Sequence, residues 1–332
     1  MIRSVDISVV VQGDFRPNTM QVLECVRATA PNAQVIFSSV SGGITAQQRS
    51  DANHLVSEWV ITPDPGALPP TVVSPTAPLN NLNRMLVSTQ GGLCSADRTY
   101  TLKVRSDAEI DVAKTTEIWD AGRMRCSAEP LLFASRYTRH PDGINGYLFH
   151  LSDWITFGRT EQVMSYWSAP QMSHADATWF LKEPHAIGTT ATAKRFRARM
   201  SQEQWLATRY AGKRGYRVPT QLTGRSEGLV DSYRAFLAKE CVIADHDQIG
   251  LKVPGHLWAD ASLFQRLDCL SHEDWTQIRD GYLLGTPERI EPIRAAARAA
   301  RHAIAAGVLL RKWITKPIAS IKDNPHKERS AT

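Results

Sequence analysis

The sequence predicts an α/β protein with a sheet of parallel strands flanked by helices, followed by a mainly helical C-terminal part. Three short β-branched or aromatic runs are typical of buried strands that stop at polar, glycine or proline residues: Ile7–Val11, Val35–Val40 and Trp59–Thr62. Apolar residues between Thr19 and Ala30 recur at helical spacing, and Pro31 ends that pattern. This alternation of strands and helices favours a parallel sheet with helices on its faces.

The composition is that of an ordinary globular protein. The chain has 332 residues, of which 42% are hydrophobic and 22% are charged, so it can form a substantial core in one large domain or two smaller ones. Its five cysteines lack CxxC or Cys/His spacing, which indicates neither a disulfide framework nor a zinc site. With no signal-peptide pattern and no apolar run that could span a bilayer, we expect a cytosolic protein. The net charge of +6 permits an anionic partner, but no zinc finger, RNP-type strand or basic-aromatic repeat indicates nucleic acid.

Further strands and helices follow from the same patterns. A loop is predicted for residues 66–78, then a helix from Asn80 to Thr89 that Gly91 and Gly92 terminate, and then a strand from Tyr100. The next predicted elements are a helix at 114–122, an apolar stretch at 130–134 and a strand at 146–151. Beyond Gly158 the predicted helices span residues 160–167, 175–180, 201–210, 226–239 and 286–314.

The segment after Tyr100 carries the most information, because a β-prone stretch ends in three acids spaced by one residue, Asp107, Glu109 and Asp111. Carboxylates gathered at a strand end are typical of a Mg²⁺ or Mn²⁺ site whose shell is completed by water and substrate phosphates. The alternative is a solvated strand end leading into a helix, where negative charge near the helix N-terminus is favourable. The first interpretation indicates a nucleotide or sugar phosphate as ligand.

Polar residues also follow the other predicted strands, and ligands of open α/β sheets bind beyond the carboxyl ends of the strands. The residues placed there are Gln12, Gly13, Asp14, Ser38, Ser39 and Asp64. Each of them also suits an ordinary turn or a backbone hydrogen bond. Asn83 and Arg84 precede the acidic strand, and Lys103 and Arg105 alternate along it, where they would either offset phosphate charge or face solvent.

Several segments, taken in order, resemble the WavE lipopolysaccharide synthesis family. They are Ile7–Gly13, Asp64–Gly66, Asn83–Arg84 with Ser88–Thr89 and Gly91–Leu93, Leu102–Asp107, His150–Trp154 with Phe157–Gly158, and Glu203–Leu206. The likeness covers residues 5–245. It implies a role in bacterial surface-polysaccharide assembly and a GT-A-like nucleotide-sugar-binding domain over residues 1–245. Residues 246–332 would then be a helical C-terminal extension.

The resemblance further implies a glycosyltransferase that moves a sugar from a nucleotide-diphosphate donor to a lipopolysaccharide or surface-polysaccharide acceptor. The implied donor-binding residues are Gln12, Gly13, Asp64, Asn83, Arg84, Lys103, Arg105 and Ser106. The implied ligands of a Mn²⁺ or Mg²⁺ ion are Asp107 and Glu109, with glutamate replacing the second aspartate of an Asp-x-Asp element.

A base must also take a proton from the acceptor hydroxyl, and the candidates are Glu203 and Asp153. Glu203 equally suits the first turn of a helix in which Ser201 and Gln204 form a capping box. His150 and Trp154 would contact the acceptor, although a strand-end histidine and a core tryptophan are equally ordinary.

The last predicted helix is basic, because the stretch from Arg289 to Lys316 carries seven lysines and arginines against one acid, Glu291. Such a helix would either lie peripherally on the anionic inner-membrane surface near a lipid-linked acceptor or pack its alanine face on the domain. Two other functions stay open. One is a non-catalytic glycan-assembly or scaffold protein that keeps the fold; the other is a nucleotidyltransferase, which would need a glycine-rich basic loop after the first strand.

Overall fold

The computed structural model describes residues 2–74, 76–124, 129–143, 145–186, 189–253 and 267–286, together with positions 292, 295 and 299. The strands of this part are β1 (Ile7–Gln12), β2 (Gln34–Val40), β3 (Glu58–Thr62), β4 (Tyr100–Arg105), β5 (Leu131–Ala134), β6 (Ile155–Arg159) and β7 (Cys241–Ala244). The α-helices are α1 (Thr19–Thr29), α2 (Ala46–Ala52), α3 (Leu82–Cys94), α4 (Val112–Arg123), α5 (Thr160–Trp167), α6 (His174–Ala177), α7 (Gln202–Lys213), α8 (Glu227–Glu240) and α9 (His272–Leu284). Short 3₁₀ turns lie at Ser4–Asp6, Trp179–Leu181 and Ala193–Arg195.

The strands form one sheet in the order β3-β2-β1-β4-β6-β5-β7. The predicted α/β sheet flanked by helices is confirmed, and β1 to β4 are parallel, as are β5 and β7. The expectation of an all-parallel sheet is wrong, because β6 runs antiparallel to both β4 and β5. The described residues between β5 and β6 form no helix, so the chain does not cross back over the sheet. Strand β6 therefore starts at the edge where β4 and β5 end.

The core lies on both faces of this sheet. Every residue of β1 is buried, which is typical of strands covered by helices on both sides. Three tryptophans from different helices are fully buried, Trp119, Trp167 and Trp275, and each indole N–H donates to an oxygen. A buried aromatic side chain thus contributes its apolar area without leaving a polar group unsatisfied.

Helix α3 continues past the two glycines that were predicted to end it. A Cβ added at Gly91 would lie 2.6 Å from Thr62 Cγ2, and one at Gly92 would lie 2.6 Å from Val10 Cγ1. These glycines therefore allow the helix to pack closely on the sheet, and the helix ends at Cys94 instead.

The predicted strand at 146–151 is not a strand. Phe149 has a φ of 53°, a left-handed value that a strand cannot contain, and the segment joins a buried loop. The prediction for 175–180 is also only partly right, since a single helical turn is followed by a 3₁₀ turn. Helices α2 and α9 and strands β6 and β7 were not predicted.

The loop between β5 and β6, residues 135–153, is braced by buried ion pairs. Arg139 Nη1 donates to Asp268 Oδ2 at 2.6 Å, and Asn145 donates to both oxygens of the same carboxylate through its backbone and side-chain nitrogens. Asp142 is 1% exposed and pairs with Arg225 and Arg234. These contacts tie the loop to α8 and to the segment before α9, so the loop is held on two sides.

The described residues beyond 245 pack against the preceding part of the chain. Glu109 and Lys252 exchange backbone hydrogen bonds, and Trp275 of α9 donates to Leu237 O on α8. The boundary predicted at 245 stays a prediction. The basic helix predicted for 286–314 lies almost wholly outside the described residues. No helix within the described ranges is both long and apolar enough to cross a bilayer.

Strand β4 contains a fully buried lysine. Lys103 Nζ donates to the backbone oxygen of Asp153 at 2.6 Å and lies 4.5 Å from the ring centroid of Trp167. Burial lowers the pKa of Lys103 to about 7, although the nearby Asp153 partly opposes that shift. The lysine thus fixes the backbone at Asp153 while charged only in part at neutral pH.

The bracing of the 135–153 loop can be tested by Asp268→Asn. The change removes the carboxylate that accepts from the buried Arg139, and breaking a buried ion pair costs about 3–5 kcal/mol. We expect that loss in the free energy of unfolding, measured by urea denaturation. Asp97→Asn is the control, because its side chain is 63% exposed beside Arg98 and such pairs contribute at most about 1 kcal/mol. Equal losses in the two variants would contradict the bracing role.

Lys103 predicts a pH dependence of stability. Native Lys103 loses its proton near pH 7, whereas the unfolded chain keeps it until about pH 10.5, so the unfolded state binds more protons between these values. The free energy of unfolding should therefore rise with pH, by about 1 kcal/mol per pH unit between pH 7 and about pH 8.5. Lys103→Met should flatten this rise and be more stable than the native protein below pH 7, where the burial penalty is fully present.

Urea denaturation across this pH interval measures the effect. The matched control is Lys114→Met, since that side chain is 57% exposed and its loss should leave the rise intact. A native stability that does not change with pH over the interval would show that Lys103 is not desolvated as the fold indicates.

Candidate functional site

A cleft of about 340 Å³ opens where β1 and β4 end. The turn after β1, the residues after β4, the loop before β6, the start of α7 and the start of α3 all contribute to its walls. The lining residues are Gln12, Gly13, Asp14, Arg16, Pro78, Leu79, Asn81, Met85, Arg105, Ser106, Asp107, Asp153 and Gln202. Concave sites at the carboxyl edge of an α/β sheet are where ligands of such folds bind.

The floor of the cleft is built by the first turn. Gly13 has a φ of +129°, and a Cβ there would lie 2.7 Å from Ser106 Oγ. Ser106 donates through its backbone nitrogen to Gln12 O at 2.8 Å and through Oγ to Asp14 O at 2.7 Å. Because only glycine allows both the backbone angle and the close approach, this residue joins the ends of β1 and β4.

Three charged residues form a cluster in the cleft, which we call the arginine–aspartate cluster: Arg16, Arg105 and Asp107. Arg105 donates from Nε and Nη2 to the two oxygens of Asp107 at 2.9 and 2.7 Å, and Arg16 Nη1 lies 3.4 Å from Oδ2. Burial alone would raise the pKa of Asp107, but the hydrogen bonds and positive charge of Arg105 outweigh it and hold this pKa below its usual value. Asp107 is therefore ionised at neutral pH.

These contacts do not fit the predicted metal site. Both oxygens of Asp107 already accept from Arg105, so a divalent cation would have to bind a carboxylate whose charge Arg105 and Arg16 already offset. Glu109 does not line the cleft; its backbone pairs with Lys252, and its charge acts on Cys25. We therefore derive no step through a metal.

The two candidate bases lie close enough to influence each other. Asp153 lines the cleft, and burial raises its pKa, as does the negative charge of Glu203; Arg105 and Lys103 oppose the rise. Glu203 is in the first turn of α7, where Ser201 caps the helix by accepting from Gln204 N. The predicted capping box is only half formed, because the Gln204 side chain donates instead to Leu148 O and Leu222 O.

His150 lies beneath Glu203, with Nε2 3.5 Å from Glu203 Oε2. Burial, and secondarily the charge of Arg139, lowers the pKa of His150 to about 3, so the imidazole is neutral and the contact is not an ion pair. Its Nδ1 is buried and makes no hydrogen bond within the described structure. The other predicted acceptor residue, Trp154, is 3% exposed and packs against Tyr137 and the guanidinium groups of Arg105 and Arg136.

The other predicted donor-binding residues, Asp64, Asn83, Arg84 and Lys103, do not line the cleft, and Lys103 is fully buried. Asp64 and Arg84 pair with each other through two hydrogen bonds of 2.9 and 2.7 Å, and Arg84 also donates to the cleft residue Asn81. The amide of Asn83 exchanges two hydrogen bonds with the backbone of Met172 and is buried. Its contacts are those of a packing residue.

Three polar residues of the cleft were not predicted from the sequence: Arg16, Asn81 and Gln202. The position of Arg16 in the turn after β1 was a signal that the sequence offered. Gln202 adjoins the candidate base Glu203, and the Gln202 side chain donates to Asn80 Oδ1 at 3.0 Å. Nothing in the sequence indicated that the start of α7 lines the same cleft as the end of β1, since the two are far apart along the chain.

No curated protein matches the sequence. The chain is similar to three groups of solved structures. An active-site mutant of LgtC is 15% identical with a TM-score of 0.30, and the match covers 46% of this chain and 57% of that one. HddC from Yersinia pseudotuberculosis is 9% identical with a TM-score of 0.28, covering 48% of this chain and 79% of that one. S. aureus TarS 1-349 in complex with UDP-GlcNAc is 12% identical with a TM-score of 0.34, covering 93% of this chain and 73% of that one.

The family match covers far more of the sequence than the motifs that suggested it. The family described as WavE lipopolysaccharide synthesis matches residues 7–303, which include all the cleft residues and every strand that the structure describes. The resemblance noted in the sequence is thereby confirmed, and the chain belongs to the WavE lipopolysaccharide synthesis family.

Proposed function

We propose that this protein is a GT-A-like glycosyltransferase that moves a sugar from a nucleotide-diphosphate donor to a lipopolysaccharide or related surface-polysaccharide acceptor. The observation that carries the proposal is Asp153, a buried carboxylate of raised pKa that faces a cleft also lined by Arg16 and Arg105. A base and two phosphate-binding cations in one cleft are what glycosyl transfer from a nucleotide sugar requires. Membership of a lipopolysaccharide synthesis family supports the acceptor class.

The reaction follows from this arrangement. The oxygen of the acceptor hydroxyl forms a bond to the anomeric carbon of the sugar, while the bond from that carbon to the diphosphate oxygen breaks and its electron pair stays on the diphosphate. The hydroxyl proton passes to the Asp153 carboxylate. Arg105 and Arg16 stabilise the charge that grows on the leaving diphosphate, and Gln12, Gly13 and Ser106 form the floor on which the donor lies.

We assign the base to Asp153 and not to Glu203. Asp153 lines the cleft, whereas Glu203 does not, and a carboxyl of raised pKa holds a proton better than an ordinary one. Glu203 then acts through Asp153, because its negative charge contributes to the raised pKa. His150 and Trp154 are buried, so we assign them to positioning Glu203 and Arg105 and not to direct contact with the acceptor.

The basic stretch 289–316 supports one further part of the proposal. Its seven lysines and arginines would attract an anionic lipid surface, and a lipid-linked acceptor would lie there. We propose peripheral attachment at the cytoplasmic face of the inner membrane. Flotation of the full chain with vesicles containing anionic lipid tests this, and vesicles of neutral lipid are the control.

The assignment of the base gives a first prediction. Asp153→Asn should lower the rate of sugar transfer by about 10²–10⁴-fold with little change in donor affinity, because only proton removal is lost. Glu203→Gln should stay active. The rate of the native enzyme falls as pH drops through the raised pKa of Asp153, and removing the charge of Glu203 should move that fall to lower pH.

Rates are measured as sugar added to purified lipopolysaccharide fractions, using a panel of nucleoside-diphosphate sugars. Glu161→Gln is the control, since this acid is exposed in the first turn of α5. Loss of transfer in Glu203→Gln with retention in Asp153→Asn would reverse the two assignments. A scaffold protein would transfer no sugar from any donor and would bind none of them.

A further inference from the structure

We infer that the arginine–aspartate cluster binds the diphosphate of the donor directly, and that Asp107 positions the two guanidinium groups instead of holding a divalent cation. The inference rests on the proposed function, since it assigns the phosphate-binding groups of the same cleft. It departs from the metal site that the Asp107 and Glu109 spacing predicts.

Asp107 is already paired with two arginine side chains. A carboxylate that ligates Mg²⁺ or Mn²⁺ must offer a free oxygen lone pair in the direction of the ion. Here the fork of Arg105 uses one lone pair on each oxygen and Arg16 approaches Oδ2 as well, so two guanidinium groups already offset the charge that a divalent cation would need. Asn18 also donates to Asp107 O at 3.0 Å, which fixes the backbone of this residue against the start of α1. Asp107 is therefore held on three sides by donors.

The three side chains of the cluster differ in their exposure to solvent. The side chain of Asp107 is 12% exposed, that of Arg105 is 26% exposed and that of Arg16 is 54% exposed. The acid lies deepest and the cations lie toward the cleft opening. A ligand entering the cleft thus meets guanidinium groups before it meets the carboxylate.

Several N–H donors of Arg105 and Arg16 remain available to a ligand. A guanidinium carries five N–H groups, and Arg105 uses only Nε and Nη2 on Asp107. Its Nη1, and the Nε and Nη2 of Arg16, have no hydrogen-bond partner within the described part of the chain. Arginine binds phosphate oxygens through such paired donors.

The net charge of the arginine–aspartate cluster is positive. Two cations and one ionised acid leave the cluster with one positive charge, and Asp107 offsets the repulsion that would separate two adjacent arginines. Asp14 also lines the cleft, but its Oδ1 lies against Gly43 at the end of β2. The acid in the cluster thus keeps two phosphate-binding groups side by side.

Calorimetric titration of the full chain with UDP, GDP, CDP and ADP tests the inference. Each titration is done in EDTA and again with excess Mn²⁺, and Mn²⁺ alone is titrated as well. We expect at least one nucleoside diphosphate to bind in EDTA, with an affinity within about threefold of that in Mn²⁺, and no binding of Mn²⁺ alone.

Two variants identify the groups responsible. Arg16→Gln should weaken binding by about tenfold or more in both conditions, and its exposure means that folding should be unaffected. Asp107→Asn should retain binding in EDTA within about tenfold, because an amide oxygen still accepts from Arg105. Asp97→Asn, far more exposed, is the control for a lost surface charge.

The outcomes separate this inference from the proposed function. Binding that requires Mn²⁺ and disappears in Asp107→Asn would overturn the inference and leave the proposed function intact. If none of the four nucleotides binds in either condition, the proposed function fails, and the inference fails with it.

Discussion

The antiparallel pairing of β6 with β4 is the constraint on which the site depends. Val104 pairs with Ile155, and Arg105 N donates to Trp154 O at 3.1 Å, so the residue that starts β6 lies beside the residue that ends β4. A parallel β6 would have placed its first residues at the opposite edge of the sheet. Instead Asp153 meets the turn after β4 in one cleft. The loop before β6 must also hold its position, and its buried ion pairs, together with the left-handed Tyr137 and Phe149, place strain and rigidity next to this edge.

Within the cleft, the surroundings shift the pKa values of two carboxyl groups in opposite directions. Hydrogen bonds and charge from Arg105 hold the pKa of Asp107 low, whereas burial and the charge of Glu203 raise that of Asp153. One acid is thereby fixed as a permanent anion that organises cations, and the other becomes able to accept a proton. Such a separation of two nearby carboxyl groups is a general way of dividing electrostatic and acid–base roles in one site. The buried Lys103 acts on Asp153 in two ways. Its Nζ fixes the Asp153 backbone, and its positive charge offsets the negative charge of the Asp153 carboxylate.

The sequence predicted four strands of the sheet, since β1, β2 and β3 contain β-branched or aromatic runs and β4 alternates apolar with charged residues. It also placed Gln12, Gly13, Arg105, Ser106 and Asp107 correctly at strand ends, and these five line the cleft. Asp153 lines it too, but it precedes β6 and does not follow the strand predicted at 146–151. What local patterns could not predict was long-range pairing. The direction of β6 and the placement of Gln202 at the same cleft as the end of β1 depend on contacts between distant segments. The pairing of Arg105 with Asp107 is local, but it depends on side-chain orientations that the pattern of residue types does not reveal. Glycines, too, were misread as helix ends, because close packing of α3 on the sheet is invisible in the sequence.

The central claim is that the cleft between β1, β4 and β6 holds a nucleotide-diphosphate donor with its reacting end toward Asp153. A crystal structure of the protein with a bound nucleoside diphosphate tests it most directly. The account predicts diphosphate oxygens within hydrogen-bond distance of Arg105 and Arg16, and open space between the terminal phosphate and the Asp153 carboxylate. A nucleotide bound away from these strand ends, or one whose terminal phosphate points away from Asp153, would contradict it.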